Sequence, residues 1–195
     1  AGGNVAAGKY NNGTPERRPI LAQRLAEGMK RAWEETKKVP IGATDVAWEV
    51  EPVALPLRDM YQNDENLLAS IRSEGVPMRY RLAAAYRLAF ARRIKAGHQI
   101  DIGCLHLGEA RVVFMPGELF VEYQLAAQEM RPNGFVAMAA YGDYGPEYIG
   151  TKIAYSQGGY ETSGVSHTAP EVEDVLTAAL RALLQPPGVK STKPE

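Results

Sequence analysis

The stretch MPGELFVEYQLAAQEMRPNGFVAMAAYGDYGPEYIGTKIAYSQGGYE, residues 115–161, decides the fold, because two apolar strand-like runs lead into glycine-rich turns there. The first run ends in the turn PGE, which carries Glu118. The second run, residues 135–141, precedes turns that carry Tyr148 and Tyr160. In open α/β sheets, functional groups lie in the turns just beyond strand ends. We therefore expect a functional site formed by a carboxylate and two phenols.

Outside this stretch, the spacing of apolar residues predicts alternating helices and strands. Spacings of three and four predict helices over residues 15–37, 63–73, 78–95, 118–130 and 170–184, the first with Thr14 as N-cap. Alternation predicts strands over residues 44–57, 100–107, 110–115 and 135–141. Pro52 and Pro56 predict that the second half of the first strand is either an edge strand or an irregular segment.

This pattern predicts an α/β fold with a mixed sheet and packed helices, in one layered domain. We expect the domain to cover residues 1–185, because the last helical pattern ends there. Residues 186–195 are rich in proline and lysine and are predicted to form a flexible tail.

Charge and cysteine content argue against several classes of partner. The 22 Lys and Arg residues balance the 23 Asp and Glu residues, and the net charge of -1 gives no basis for binding nucleic acid or an anionic membrane. No apolar run approaches the ~20 residues of a transmembrane segment. The single cysteine, Cys104, excludes an intrachain disulfide and is predicted to be a small buried apolar residue.

Glu118 and Tyr148 each have a structural and a functional interpretation. Glu118 follows a strand and opens a predicted helix, so an interaction with the helix dipole is the favoured interpretation on the residues alone. Its functional interpretation is a carboxylate metal ligand oriented by a rigid turn. Tyr148 lies in a loop, where tyrosines mostly pack with a hydrated hydroxyl. As a metal ligand its phenol, with a pKa of about 10 when free, would have to be acidified by the cation.

The remaining polar candidates are weaker. Tyr160 follows two glycines and either packs or donates a hydrogen bond to a developing oxyanion. His98, His106 and His167 show no metal-binding spacing and are predicted to be structural. Asn4 could line a site through its amide, although asparagine in a loop is common.

Four stretches, in this order, resemble the neutral/alkaline (non-lysosomal) ceramidase family, and in particular the second half of its catalytic domain. They are AGGNV at residues 1–5, the helix at 17–32, FMPGE at 114–118, and the run from YIGT at 148–151 to Tyr160-Glu161. The last two are the more specific, because the tyrosines occur at matching intervals. One departure is Ala6-Ala7, where the family tends to have Ser-Pro.

The resemblance implies a zinc-dependent hydrolase that cleaves the N-acyl amide bond of ceramide, or of a related lipid amide, by a metal-bound water. By motif match it implies Glu118 and Tyr148 as zinc ligands and Tyr160 as the catalytic residue that stabilises the oxyanion. The family takes two further ligands, both histidines, from the first half of the domain. We therefore expect the chain to supply half of the site, with its partner an N-terminal half upstream of Ala1.

The resemblance also implies that the longer protein is an enzyme of sphingolipid metabolism, secreted or periplasmic, and that residues 1–195 alone are inactive. Two alternatives remain open. One is a non-catalytic ceramidase-like domain that binds a lipid or glycan. The other is a metal-dependent hydrolase of a different amide or ester.

Overall fold

The computed structural model describes residues 1–6, 8 and 10–184, so the expected tail at 186–195 lies outside the described residues. The helices are α1 (Arg17–Glu35), α2 (Glu65–Arg72), α3 (Met78–Lys95), α4 (Val121–Met130), α5 (Lys152–Gln157) and α6 (Val172–Leu184). The strands are β1 (Val46–Val53), β2 (Ile100–Leu107), β3 (Ala110–Phe114), β4 (Glu118–Leu119), β5 (Val136–Ala139) and β6 (Tyr148–Ile149).

The main sheet is mixed and has the strand order β1-β2-β3-β5. Strands β1, β2 and β3 are antiparallel neighbours, whereas β5 runs parallel to β3. Gly108 turns the β2–β3 hairpin with a φ of 56°, a conformation that favours glycine. Pro52 lies in the edge strand β1, one of the two predicted possibilities, and this strand ends at Val53, short of the predicted end at Leu57. The predicted α/β class, a mixed sheet with packed helices, is therefore confirmed.

The core forms where α6 lies against β1 and α4. Leu176 and Leu180 of α6 are fully buried in one cluster with Ile102 of β2 and Val113 of β3. Burying a leucine side chain of this size contributes about 1.5–3 kcal/mol. The apolar stripe predicted for the last helix is thus the face that closes the domain. Cys104 is also fully buried in this core, and burial raises the pKa of its thiol to about 11.

Helix α1 lies where it was predicted, but its capping and packing differ. It begins at Arg17 after Glu16, and no side chain caps it; the carbonyl of Thr14 accepts a hydrogen bond from the Arg17 amide. None of its residues is buried, and Met29 and Trp33 are exposed. Its apolar stripe therefore has no partner among the described residues.

The predicted helix over residues 118–130 begins too early, because the backbone of residues 118–120 forms hydrogen bonds with a parallel strand. Glu118 donates its amide N–H to the carbonyl of Glu147 at 2.8 Å, and Phe120 donates to Ile149 at 3.1 Å. Glu118 is thus a strand residue, and the helix starts at Val121. The interpretation of Glu118 as a first-turn helix residue is wrong for the same reason.

Tyr148 is likewise a strand residue and not a loop residue, and the short helix α5 was not predicted. No helix in the described ranges has the length and apolar character needed to span a bilayer.

Candidate functional site

The two-stranded sheet β4–β6 places Glu118 directly beside Tyr148. The strands are parallel, with Glu118 paired to Tyr148 and Leu119 paired to Ile149. Parallel neighbours project paired side chains to the same face, so the carboxylate and the phenol share one face of this sheet. Leu119 and Ile149 point the other way and are fully buried. Burial of this apolar pair fixes the register that brings the two polar side chains together.

Close backbone approaches on both sides hold β4 in place. Gly117 has a φ of 61°, and a Cβ there would lie 2.5 Å from the carbonyl oxygen of Glu147. Gly3 donates its N–H to the carbonyl of Leu119 at 2.7 Å, and a Cβ on Gly3 would lie 2.6 Å from the Glu118 carbonyl oxygen. Both positions require glycine because no side chain fits against the neighbouring backbone.

The Glu118 carboxylate faces a cluster of phenols. The hydroxyl of Tyr144 donates a hydrogen bond to Glu118 Oε2 at 3.2 Å, and the rings of Tyr141 and Tyr144 stack with their centroids 6.2 Å apart. Burial, together with the hydrogen bond and charge of Glu118, raises the pKa of Tyr144 to about 12. The Tyr144 hydroxyl therefore stays protonated, and remains a donor, at neutral pH.

Tyr148 and Tyr160 meet edge to face, with ring centroids 5.8 Å apart and an interplanar angle of 76°. Partial burial and the neighbouring Glu118 carboxylate raise the pKa of Tyr148. Tyr160 is 65% exposed, so its hydroxyl is accessible to a ligand. Gly158 and Gly159, with φ values of 78° and 119°, let the chain turn sharply from α5 into Tyr160.

Buried His167 supports the turn that carries Tyr148. Its Nδ1–H donates to the carbonyl of Gly145 at 2.7 Å. Its Nε2 lies 3.2 Å from Nε of Arg87 and 3.3 Å from a carboxylate oxygen of Glu147. Neutral imidazole accepts from Arg87 at this atom, and imidazolium donates to Glu147. The histidine is therefore a satisfied structural residue, as predicted for it.

Asn4 caps a helix. Its Oδ1 accepts a hydrogen bond from the N–H of Val121, the first residue of α4, and its amide nitrogen donates to both oxygens of Glu122 at 2.8 and 3.1 Å. These contacts satisfy a free N–H at the start of the helix. Asn4 thus ties the first residues of the chain to the segment just after Glu118.

Glu118 and Tyr148 fit part of a cation site. Two negative charges side by side repel each other, so the phenol of Tyr148 keeps its proton next to the Glu118 carboxylate. The raised pKa of Tyr148 agrees with this. A divalent cation would replace that proton and favour both anions. A catalytic zinc site normally uses three protein ligands, and within the described residues no group of three or more His, Cys, Asp and Glu side chains is placed to hold a metal.

The sequence did not identify Tyr144, His167 or Arg58 as members of this site. Arg58 donates to the carbonyls of Thr162 and Ser163 and so fixes the loop after Tyr160. The turn YGDYGP at residues 141–146 was the one local signal that could have indicated Tyr144, because turns that follow strands often carry functional polar side chains. Arg58 contacts residues about 100 positions away in sequence, and His167 contacts Gly145, about 20 positions away. Contacts over such separations leave no local pattern in the sequence.

Comparison with known proteins gives a structural match only. No protein-family model matches the chain, and no curated protein matches it in sequence. Among solved structures, the neutral ceramidase from Pseudomonas aeruginosa matches with a TM-score of 0.55 at 16% identity, over 93% of this chain and 34% of that one. A ceramidase complexed with C2 matches with a TM-score of 0.55 at 14% identity, over 86% of this chain and 33% of that one.

The chain thus shares its fold with a portion of neutral ceramidases, which confirms the structural side of the predicted resemblance. It spans about one third of the length of the ceramidases that it matches. At these identities the likeness concerns the fold alone.

Proposed function

We propose that this chain is part of a zinc-dependent amidase of the neutral ceramidase type, acting on the N-acyl bond of ceramide or a related lipid amide. The observation that carries the proposal is the meeting of Glu118, Tyr148 and Tyr160 on one side of the small sheet β4–β6. These residues lie 30 and 12 positions apart in sequence and meet in the folded chain, and the likeness of the fold to part of a neutral ceramidase supports the proposal.

In this proposal Glu118 and Tyr148 hold the zinc ion, and Tyr160 is the catalytic residue. Bound zinc would supply Lewis-acid polarisation of the amide carbonyl and acidification of a water molecule. Glu118 contributes negative charge that favours cation binding, and Tyr148 contributes a phenol oxygen from the adjacent strand. Tyr160 donates a hydrogen bond to the carbonyl oxygen as negative charge develops on it during attack. Its exposure leaves room for an amide to reach the hydroxyl.

The remaining ligands belong to the proposal as well, and we assign them to an N-terminal half of the same domain. The outer face of the main sheet supports this assignment, because Trp48, Val50 and Phe114 are exposed there and the rings of Trp48 and Phe114 lie 5.3 Å apart. A contiguous apolar sheet face is typical of a buried interface. Secretion or a periplasmic location, which the resemblance implies, stays a prediction.

When the upstream half is supplied, we expect the fluorescence emission of Trp48 to shift to shorter wavelength, because the indole would leave water for an apolar interface. The chain has two tryptophans, and so Trp33→Phe serves as the background that isolates Trp48. Trp48→Ala should weaken association of the two halves. An unchanged Trp48 emission on mixing or co-expression would contradict the assignment of this face.

Tyr160→Phe in the full-length protein is expected to lower kcat for amide hydrolysis by about 10²- to 10³-fold, the usual loss when one oxyanion donor is removed. Zinc content and KM should change little, because the phenol does not hold the metal in this proposal. The measurement is steady-state kinetics with a ceramide, set beside the same variant's zinc content. Tyr86→Phe, an exposed tyrosine on α3, is the matched control.

Two outcomes would favour the alternatives. Zinc binding with turnover of other acyl amides or esters, and none of ceramide, would indicate a different hydrolase. Lipid binding without zinc or turnover would indicate a non-catalytic domain. A Tyr160→Phe variant with wild-type kcat would remove this residue from the mechanism.

A further inference from the structure

The backbone before Tyr160 does not fix the position of its phenol. Helix α5 ends at Gln157, and Gly158 and Gly159 follow it with φ values of 78° and 119°. Glycine has many more accessible backbone conformations than other residues, so two in succession do not pass the direction of the helix on to Tyr160. The Tyr160 side chain is also 65% exposed, so burial does not fix it either. Apart from the edge contact with Tyr148, the position of Tyr160 therefore depends on the residues that follow it.

Those residues form a loop, 160–166, that is closed on the backbone of Tyr160. The Tyr160 carbonyl accepts a hydrogen bond from the backbone N–H of Ser163 at 3.0 Å and from its hydroxyl at 2.5 Å. The backbone N–H of Ser166 in turn donates to the Ser163 carbonyl at 3.1 Å. Any movement of this loop therefore moves Tyr160 as well.

Arg58 binds both ends of the 160–166 loop. Its Nη1 lies 2.8 Å from the carbonyl oxygen of Thr162, 2.5 Å from that of Ser163 and 3.4 Å from that of Ser166. Its backbone N–H donates to the carbonyl of His167 at 3.1 Å. A guanidinium is charged at any ordinary pH, and hydrogen bonds from a charged donor are about twice as strong as neutral ones. Arg58 therefore sets the distance between the two ends of the loop.

The core determines where Arg58 lies. Leu57, directly before it, forms an antiparallel bridge with Thr168, and both residues are buried. The guanidinium carbon lies 5.8 Å from the ring centroid of Tyr155 of α5, a cation–π contact. The hydroxyl of Tyr155 lies 2.8 Å from Oγ of Ser166. Arg58 thus connects the loop to buried backbone on one side and to α5 on the other.

We propose that Arg58 is a positioning residue for amide hydrolysis, which holds the hydroxyl of Tyr160 where it meets the carbonyl oxygen of the substrate. This inference rests on the proposed function, in which Tyr160 donates to that oxygen. The guanidinium is engaged by the loop carbonyls, and so Arg58 acts through Tyr160 without touching the amide. Displacement of a catalytic group by about 1 Å can cost about 10²-fold in rate.

The test is a double-mutant cycle of Arg58→Met and Tyr160→Phe in the full-length protein, with steady-state kinetics on a ceramide. Arg58→Met alone should lower kcat by about 10- to 100-fold with little change in KM. In the Tyr160→Phe background it should cost less than about threefold, because the hydroxyl that it positions is gone. Arg58→Lys keeps a charged donor near the carbonyls and should recover part of the loss. Arg72→Met, at an exposed arginine on α2, is the matched control and should retain wild-type kcat.

An equal loss of kcat from Arg58→Met in both backgrounds would overturn the inference while the proposed function stands. A folded full-length protein without amidase activity would overturn the proposed function, and with it the role of Arg58 in the reaction.

Hydrogen exchange in the metal-free full-length protein gives a second readout, which needs no turnover. The N–H groups of Ser163 and Ser166 should exchange at least about tenfold faster in Arg58→Met, because the loop that they close would open more often. Exchange in the core helix α6 should stay at its wild-type rate. Wild-type exchange at both serines would overturn the inference. Faster exchange throughout α6 as well would assign Arg58 to general stability, and would overturn it too.

Discussion

Under the proposed function, Glu118→Ala is expected to abolish zinc binding by the full-length protein and to reduce amidase activity to background. Loss of an outer-shell partner alone weakens metal affinity about 10- to 100-fold, so loss of a ligand should exceed about 100-fold. The rate should fall by at least about 10³-fold, since removing a single oxyanion donor already costs about 10²- to 10³-fold. Metal analysis after dialysis and turnover of a ceramide are the two measurements.

Two further variants make this result specific. Glu118→Gln keeps a carbonyl oxygen for the Tyr144 hydroxyl but removes the negative charge, so it should fold normally and still lose zinc. Glu122→Gln, four residues further on, lies on α4 and contacts Asn4, and should retain both zinc and activity. Zinc retained at wild-type stoichiometry in Glu118→Ala would refute the ligand assignment. A loss of stability alone would favour the non-catalytic alternative.

Much of the fold could be predicted because long elements carry a strong local period. Helix α3 occupies Met78–Lys95 as predicted, and Gly97 follows it with a φ of 81°, the conformation that ends a helix. Strand β2 was also placed correctly by its alternation. In both cases, the residues that determine the element lie within it or next to it in sequence.

The strands that hold the candidate site could not be predicted in the same way. β4 and β6 have two residues each, too few to show a period, and they exist because Glu118 and Tyr148 pair across 30 positions of sequence. The helical propensity of the residues that form α4 therefore led to a predicted helix from residue 118. In the structure, long-range pairing with β6 makes Glu118 and Leu119 a strand instead. The family resemblance implied Glu118, Tyr148 and Tyr160 as candidate site residues, and the structure places these three residues side by side; their roles are part of the proposed function.

For helix α1, the sequence predicted the element but not its packing. Its amphipathic period predicted the helix correctly, yet a period does not say what the apolar stripe packs against. Among the described residues that stripe is exposed, as is the outer face of the sheet around Trp48. Both surfaces are consistent with the proposed upstream half.

His167→Ala is expected to cause a large loss of stability, about 2–4 kcal/mol in the free energy of unfolding. The imidazole is fully buried, donates to Gly145 and lies between Arg87 and Glu147. Its removal leaves a cavity and deprives these polar groups of their partner. The turn that carries Tyr148 would loosen, and zinc affinity should fall with it. Chemical denaturation measures the first effect, and zinc titration of the full-length protein measures the second.

Comparison with His167→Asn assigns the loss to particular atoms, because asparagine can reproduce the Nδ1 donor to Gly145 but not the contact with Glu147. Burial alone raises the pKa of Glu147, but the hydrogen bond and charge of His167, with Arg87, hold it below its ordinary value of 4.5. A carboxyl with a lowered pKa contributes stability above its unfolded value, and loses it as pH falls through the folded value. The stability gap between wild type and His167→Asn should therefore narrow as the pH drops below 4.5. In a Glu147→Gln background the narrowing should vanish, whereas a gap that persists unchanged into acid would show that His167 acts through packing and not through Glu147.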